Sequence, residues 1–282
     1  AKAEGRNCYQ FFNSEMNLEL QYSQWVETNL REALEQNQLQ LHFQPQVNLD
    51  NGQIESCEAL LRWPRGDGEN INPADFIRIA ERNGQIIEIS NWVLQEACRQ
   101  LQEWQNQGYQ PVRVDINLSS MDFTDRGVLY KFLQILQRQK LRPHQIGIEI
   151  TENILLESTE QVIKALNVLH NAGVHISIDD FGTGFSSLYY LKQLPLSGIK
   201  IDQSFVHEAP SNKDDLIIMQ AITLVGHGFG LDVIAEGVET EWHESLCKGI
   251  GCNKIQGNLI SEPLPADQFA ERFLSRAKIS NA

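Results

Sequence analysis

Two aspartates in succession, Asp179-Asp180, carry the clearest chemical signal in the chain, because they close an apolar, strand-like run that begins at Val174. One carboxylate of such a pair can bridge two cations while its neighbour serves only the second. With the ions about 3.5–4 Å apart, that arrangement activates a water and steadies the leaving oxygen in phosphodiester cleavage. Other strand-like runs also end in oxygen ligands: Glu58, Asn117, Glu149 with Glu152, Asp202, Glu236 with Glu239, and Gln256. Lys200, beside Asp202, could orient a nucleophile, accept a proton if its pKa is depressed, or neutralise phosphate charge, and the sequence leaves all three open.

Five of these groups, Glu58, Glu149, Asp179, Asp180 and Glu236, are negative at pH 7 if unperturbed. For unit charges about 4 Å apart at an effective dielectric of about 20, repulsion is on the order of 4 kcal/mol per pair. Brought together without a cation, the carboxylates would protonate or splay apart. The candidate ligands are all oxygens, and no H-E-x-x-H, His-x-His or paired-Cys spacing occurs among seven histidines and five cysteines. Two ions of Mg²⁺ or Mn²⁺ are therefore expected rather than zinc or copper, with Ca²⁺ binding but supporting little hydrolysis.

Residues so far apart can meet only if the fold gathers strand ends. A helical pattern over Asn17–Gln38 is followed by two extended runs, through Leu41, Phe43 and Val47 and then Ile54 to Leu61, separated by Asp50-Asn51-Gly52 turn chemistry. So short a connection makes this pair antiparallel. Beyond Trp63 helical and strand-like segments alternate, with strands expected at 112–118, 146–150, 174–179, 198–201, 231–235 and 253–256. Repeated βα units imply a largely parallel sheet, and eight strands close a barrel. The expected fold class is α/β, a TIM-like (β/α)8 barrel whose first strand runs backwards, and the residues above fall on its C-terminal rim, where barrel enzymes do chemistry.

At 282 residues and 41% hydrophobic, the chain suffices for one such barrel. A net charge of -14 excludes a sequence-independent grip on duplex nucleic acid. The cysteines form no C-x-x-C pair, which points to a reducing, cytoplasmic setting. No run approaches the ~18–20 apolar residues of a membrane span, so this piece makes no membrane contact of its own, although a longer parent could be anchored. His42, His175 and His227 read as strand or turn residues rather than ligands, Gly226 to Gly230 as a helix-terminating turn, and Trp92, Trp104 and Trp242 as helix residues packed on the barrel.

Several of these residues sit in longer words. Glu58-Ala59-Leu60-Leu61-Arg62-Trp63, preceded by Gln44-Pro45, resembles the signature of the EAL family. Asn117-Leu118-Ser119, Glu149-Ile150-Thr151-Glu152, Asp179-Asp180-Phe181-Gly182-Thr183-Gly184, Lys200-Ile201-Asp202, Ala235-Glu236-Gly237-Val238-Glu239 and Gln256-Gly257 follow in the family's order. The resemblance implies a two-metal site that hydrolyses cyclic di-GMP to linear pGpG. In it Glu58, Asn117, Glu149 and Asp179 hold one ion, and Asp179, Asp180 and Glu236 the other. It further implies that Lys200 and Gln256 hold the attacking water, that Glu152 braces the loop from Phe181 to Ser187 towards a homodimer contact, and that Arg62, Gln44, Asp202 and Glu239 meet the substrate. Residues 1–16, with Ala1-Lys2 and Gly5-Arg6-Asn7, are similar to the end of a GGDEF module, which implies an upstream cyclase-like domain and sensor, leaving 17–282 as the EAL domain. Asn258 stands where the family usually has an aromatic residue, and Glu262 where a basic one is common, so substrate affinity is the property these departures touch. The competing expectation is a receptor that binds cyclic di-GMP without cutting it; the intact ligand set argues for the hydrolase.

Overall fold

The structure, a computed structural model, describes residues 14–65, 70–123, 126–156, 160–184, 191–209 and 211–275. The described chain divides into two compact units. The described residues up to Gln40 join Arg62–Ile86, and Leu41–Leu61 join the described residues from Ile87 onward.

The larger unit is the barrel. Its strands are β1 (Gln40–Asn48), β2 (Ile54–Pro64), β3 (Arg113–Leu118), β4 (Ile146–Thr151), β5 (His175–Phe181), β6 (Gly198–Ile201), β7 (Asp232–Ala235) and β8 (Lys254–Gln256). From β2 to β8 each strand pairs in parallel with the next, while β1 pairs antiparallel with β8 and also with β2, closing the ring. The β1–β2 turn is set by Asn48, whose Oδ1 accepts from the backbone N–H groups of Asp50 and Asn51, and by Gly52 at φ +68.

Strand alternation sorts the residues of this barrel by chemistry. Ile148, Ile150, Ile176, Ile178, Ile199 and Ile201 occupy one parity and are all but inaccessible, as a parallel sheet covered by helices requires. The opposite parity carries Asp115, Gly147, Glu149, Ser177, Asp179, Gly198 and Lys200, so the interior is polar. Gly147 is there for space: a Cβ would lie 1.8 Å from Asp115 Oδ1, the carboxylate that pairs with Arg113 Nε at 2.6 Å. Helices Ile86–Asn106, Arg126–Arg138, Glu160–Ala172, Lys213–Gly228 and Glu241–Ile250 follow β2, β3, β4, β6 and β7, the crossovers that parallel neighbours require.

The smaller unit contains helix Ser14–Glu35, the end of β2, a two-residue strand Asn70–Ile71 and helix Pro73–Asn83. Trp63 stacks on Trp25 with centroids 5.8 Å apart and meets Phe76 edge-on at 5.5 Å. Asn72 caps the second helix by accepting from Ala74 N–H, Pro73 opens it, and Gly84 in the left-handed region ends it.

Three expectations change. Helix Lys213–Gly228 runs through Gly226 and Gly228 rather than ending before them; Gly226 is a packing glycine, since a Cβ there would lie 2.6 Å from Val233 Cγ2, and the chain turns at Phe229–Gly230 instead. Trp242 is 48% exposed, on the outer face of its helix, whereas Trp104 is fully buried. Helices Gln203–Glu208 and Ala266–Phe273 add to the expected set. The stretch read as the end of an upstream module, for residues 1–13, lies outside the described residues, as do Cys8 and the turn expected after Ser186.

Candidate active site

The rim residues of the barrel converge on one side chain. Lys200, inaccessible to solvent on the four-residue strand β6, places Nζ 2.6 Å from Glu149 Oε2, 2.7 Å from Glu236 Oε1, 3.1 Å from Glu58 Oε2 and 3.2 Å from Asp179 Oδ1. Glu58 comes from β2, Glu149 from β4, Asp179 from β5, and Glu236 directly follows β7. Asn117, opposite Glu149 in the β3–β4 register, donates Nδ2–H to Glu58 Oε1 at 2.7 Å. Gln256 on β8 donates Nε2–H to Glu58 Oε2 at 2.7 Å and to Gln44 Oε1 at 3.0 Å, and Gln44 donates to the Ser261 carbonyl.

Consecutive strand residues ordinarily point to opposite faces, so Asp179 and Asp180 could not both serve one site on a regular strand. A register shift between Ile178 and Phe181 in the β5–β6 pairing, with Asp180 at φ +54, resolves this. The irregularity turns the second carboxylate towards the first, as bulges beside active sites do. Asp180 N–H is 3.0 Å from Asp179 Oδ1. Asp180 is pushed up to about 7 by burial, by the Asp179 charge and by a hydrogen bond with Asp202. Asp202 itself caps helix Gln203–Glu208, accepting from Ser204 N–H at 3.0 Å and from the Ser204 hydroxyl.

Charge defines what this centre can hold. Burial disfavours the Lys200 ammonium, but Asp179, Glu149, Glu236 and Glu58 outweigh it and hold the amine well above its ordinary range. Glu58 is also opposed by burial, yet Lys200 and the hydrogen bonds from Gln256 and Asn117 bring it below the usual carboxylate value. Glu149 is driven well up by burial and by Glu58, and Glu236 by burial and by Asp179. One ammonium thus faces five carboxylates, and the surplus negative charge calls for cations. Two groups have ligand oxygens all within 4.8 Å of one another: Glu58, Glu149 and Asp179, and Asp179, Asp180 and Glu236. They share Asp179. An all-oxygen set of this kind fits hard divalent ions.

Beside this centre lies a cavity of about 310 Å³ lined by Gln44, Leu60, Gln203, Glu239, Asn258 and Pro263 as well as by Glu58, Asp179 and Glu236. Glu239 is exposed at its edge, 3.8 Å from His207 Nε2, and that nitrogen is 2.9 Å from the Gly237 carbonyl. Glu152 stands apart from the metal-type groups: buried, it accepts at Oε2 from Gly182 N–H at 2.8 Å and Gly184 N–H at 3.2 Å, tying down the start of the loop after Asp180. The rest of that loop, 185–190, is outside the described residues. Arg62 belongs to the smaller unit. His42 meets the Pro263 carbonyl and His227 meets Asn253. Sequence reasoning passed over Gln46 and Ser56, both wholly buried beneath Gln256, although each lies two residues from a recognised site residue and so on the same strand face.

The EAL domain model matches residues 27–263. MucR of Pseudomonas aeruginosa, a bifunctional diguanylate cyclase/cyclic di-GMP phosphodiesterase, is 42% identical over 269 residues, 95% of this chain and 39% of that protein. The cyclic di-GMP phosphodiesterase NbdA of the same organism is 37% identical over 96% of this chain and 35% of its own length. The chain therefore spans about two fifths or less of the length of these curated relatives. Among solved structures, the MucR phosphodiesterase in complex with c-di-GMP superposes with a TM-score of 0.83 at 41% identity, covering 87% of this chain and 99% of that one. The matched segment carries both acidic groups and Lys200, and the chain belongs to the EAL domain family.

Proposed function

We propose that this chain hydrolyses cyclic di-GMP to linear pGpG, using two divalent cations, Mg²⁺ or Mn²⁺. The observation that carries the reading is the pair of oxygen-ligand groups joined at Asp179, the donor set a two-metal phosphodiester hydrolase needs. MucR and NbdA, named as cyclic di-GMP phosphodiesterases, support the choice of substrate. When bound, the ions would supply an activated water and charge stabilisation at the leaving oxygen. Glu58, Asn117, Glu149 and Asp179 would hold one, and Asp179, Asp180 and Glu236 the other.

The chain's own groups do the rest. Lys200 and Gln256 orient the attacking water against one phosphorus of the ring. The P–O3′ bond breaks, the water oxygen stays on phosphorus as the new 5′-phosphate, and the departing O3′ takes up a proton. Gln44, Glu239 and Asp202 meet the substrate, the first two from the lining of the cavity, and Arg62 meets a phosphate. Glu152 restrains the loop that leads to a homodimer contact, and residues 1–16 end an upstream GGDEF module, with 17–282 as the hydrolase.

The test is incubation of the chain with cyclic di-GMP in Mg²⁺, Mn²⁺ and Ca²⁺, with chromatography of the products. The expected outcome is pGpG with the first two ions and little with Ca²⁺, whose irregular coordination suits binding more than catalysis. Binding of cyclic di-GMP with no product in Mg²⁺ or Mn²⁺ would overturn the hydrolase and favour a receptor.

A further inference from the structure

We infer that Gln46, backed by Ser56, is a positioning residue that holds the Gln256 side-chain amide in the sense the Glu58 carboxylate requires. This rests on the reading of Glu58 and Gln256 as parts of a hydrolytic metal centre. Gln46 lies directly opposite Gln256 in the antiparallel β1–β8 register, and Ser56 lies two residues before Glu58 on β2, so all four side chains enter the barrel from adjoining strands. Gln46 and Ser56 are inaccessible to solvent, and Gln256 and Glu58 are 4% exposed.

The sense of each amide follows from what its neighbours can do. An ionised Glu58 can only accept, so Gln256 must turn Nε2 towards it, at 2.7 Å. The second hydrogen of that nitrogen goes to Gln44 Oε1 at 3.0 Å. Gln256 Oε1 then points down the barrel and needs a donor, which Gln46 Nε2 supplies at 3.0 Å. Gln46 can present its nitrogen only if its own Oε1 faces the other way, and there the Ser56 hydroxyl donates to it at 2.6 Å. The same Gln46 nitrogen lies 3.4 Å from Glu149 Oε1. Rotating either amide by half a turn would set oxygen against oxygen in a buried site, where unpaired polar atoms are costly. The acceptor-only carboxylate at the rim thus fixes the run of amides below it, and the Ser56 hydroxyl completes that run by donating to its last oxygen.

A double-mutant cycle isolates this coupling. Gln46→Met keeps length and bulk but cannot donate. Alone it lowers kcat about tenfold, the effect of one buried hydrogen bond, and leaves KM for cyclic di-GMP within about twofold. In a Gln256→Ala background the same change lowers kcat by no more than about twofold, the remainder left by the long contact to Glu149 once the group it mainly acts through is gone. Calorimetric titration with Mn²⁺ repeats the cycle without turnover: Gln46→Met raises Kd severalfold in the parent chain and not in Gln256→Ala. Equal factors in both backgrounds, by either readout, would reduce Gln46 to a packing residue and overturn the inference. Should Gln46→Met not fold, Ser56→Ala serves, with the same sign, about a threefold effect and the same silence in Gln256→Ala. If the parent chain binds Mn²⁺ but yields no pGpG, the hydrolase reading fails while the calorimetric cycle still decides the relay. Absence of both Mn²⁺ binding and product would overturn the two together.

Discussion

At the scale of single residues, Lys200 is the hinge between stability and chemistry. Its ammonium touches the carboxylates of Glu58, Glu149, Asp179 and Glu236, each at or just past the end of a different strand. Removing one partner from a buried ionic cluster leaves the others uncompensated, at a cost of about 3–5 kcal/mol. Lys200→Met is therefore expected to lower Tm sharply in chelator, and saturating Mn²⁺ is expected to restore more of that loss than it adds to the parent chain. Thermal unfolding with and without the ion measures it, and a variant as stable as the parent in chelator would show that the carboxylates are already neutral. The same residue marks what could be read in advance. A polar side chain ending an apolar run is visible in one dimension, and Glu58, Glu149, Asp179, Lys200, Glu236 and Gln256 were legible for that reason. The direction of the Lys200 pKa was not, because it depends on distances between strands that no spacing encodes. Gln46 was missed on the same ground: its partner lies 210 residues away.

At the scale of elements, the irregularity in β5 decides whether two adjacent aspartates can act together. Asp180 holds φ +54, a region asparagine tolerates and β-branched residues resist. Asp180→Asn should keep the fold and its stability within about 1 kcal/mol while abolishing most turnover, since it removes charge and leaves the backbone alone. Asp180→Val should lose turnover and also about 1–3 kcal/mol of stability from backbone strain. Equal stability of the two variants would mean the left-handed residue is not under constraint. Period-2 patterning identified β5 but could not reveal the slip, because an extra residue leaves the apolar run unchanged. Helix Gln203–Glu208 was missed despite its signal, Asp202 followed by Ser204, because six residues are too few to show a helical period. Trp242 was misassigned since a ten-residue amphipathic helix tells which residues share a face and not which face is buried.

At the scale of the whole molecule, the fold class and the antiparallel first strand were legible from alternating segments and one short turn, whereas the polar barrel floor was not. There His175, beside Arg113 and Asp115 and within the field of Lys254 and Asp232, is lowered to about 4, by burial first and by Arg113 next. The native state thus holds this imidazole neutral, while the unfolded chain protonates it near 6.5. Its contribution is fully present above about pH 6.5 and is lost as pH falls from there towards 4, by at most about 3 kcal/mol. Unfolding at several pH values should show a shallower acid slope in His175→Gln than in the parent chain. Identical slopes between pH 6.5 and 4 would assign the acid sensitivity elsewhere. No helix among the described residues is long and apolar enough to cross a membrane.

The antiparallel β1 lies beside β8, so the ring is sealed by the earliest and the latest of its strands. A chain leaves the ribosome N-terminus first, and contacts between distant residues form only after a large entropic cost has been met. Glu58 is translated long before Gln256 exists to fix it. A nascent chain that has not yet reached β8 consequently carries most of the acidic ligands yet lacks the amide that orders them, so the centre is completed in one step, when the last strand of the ring is made.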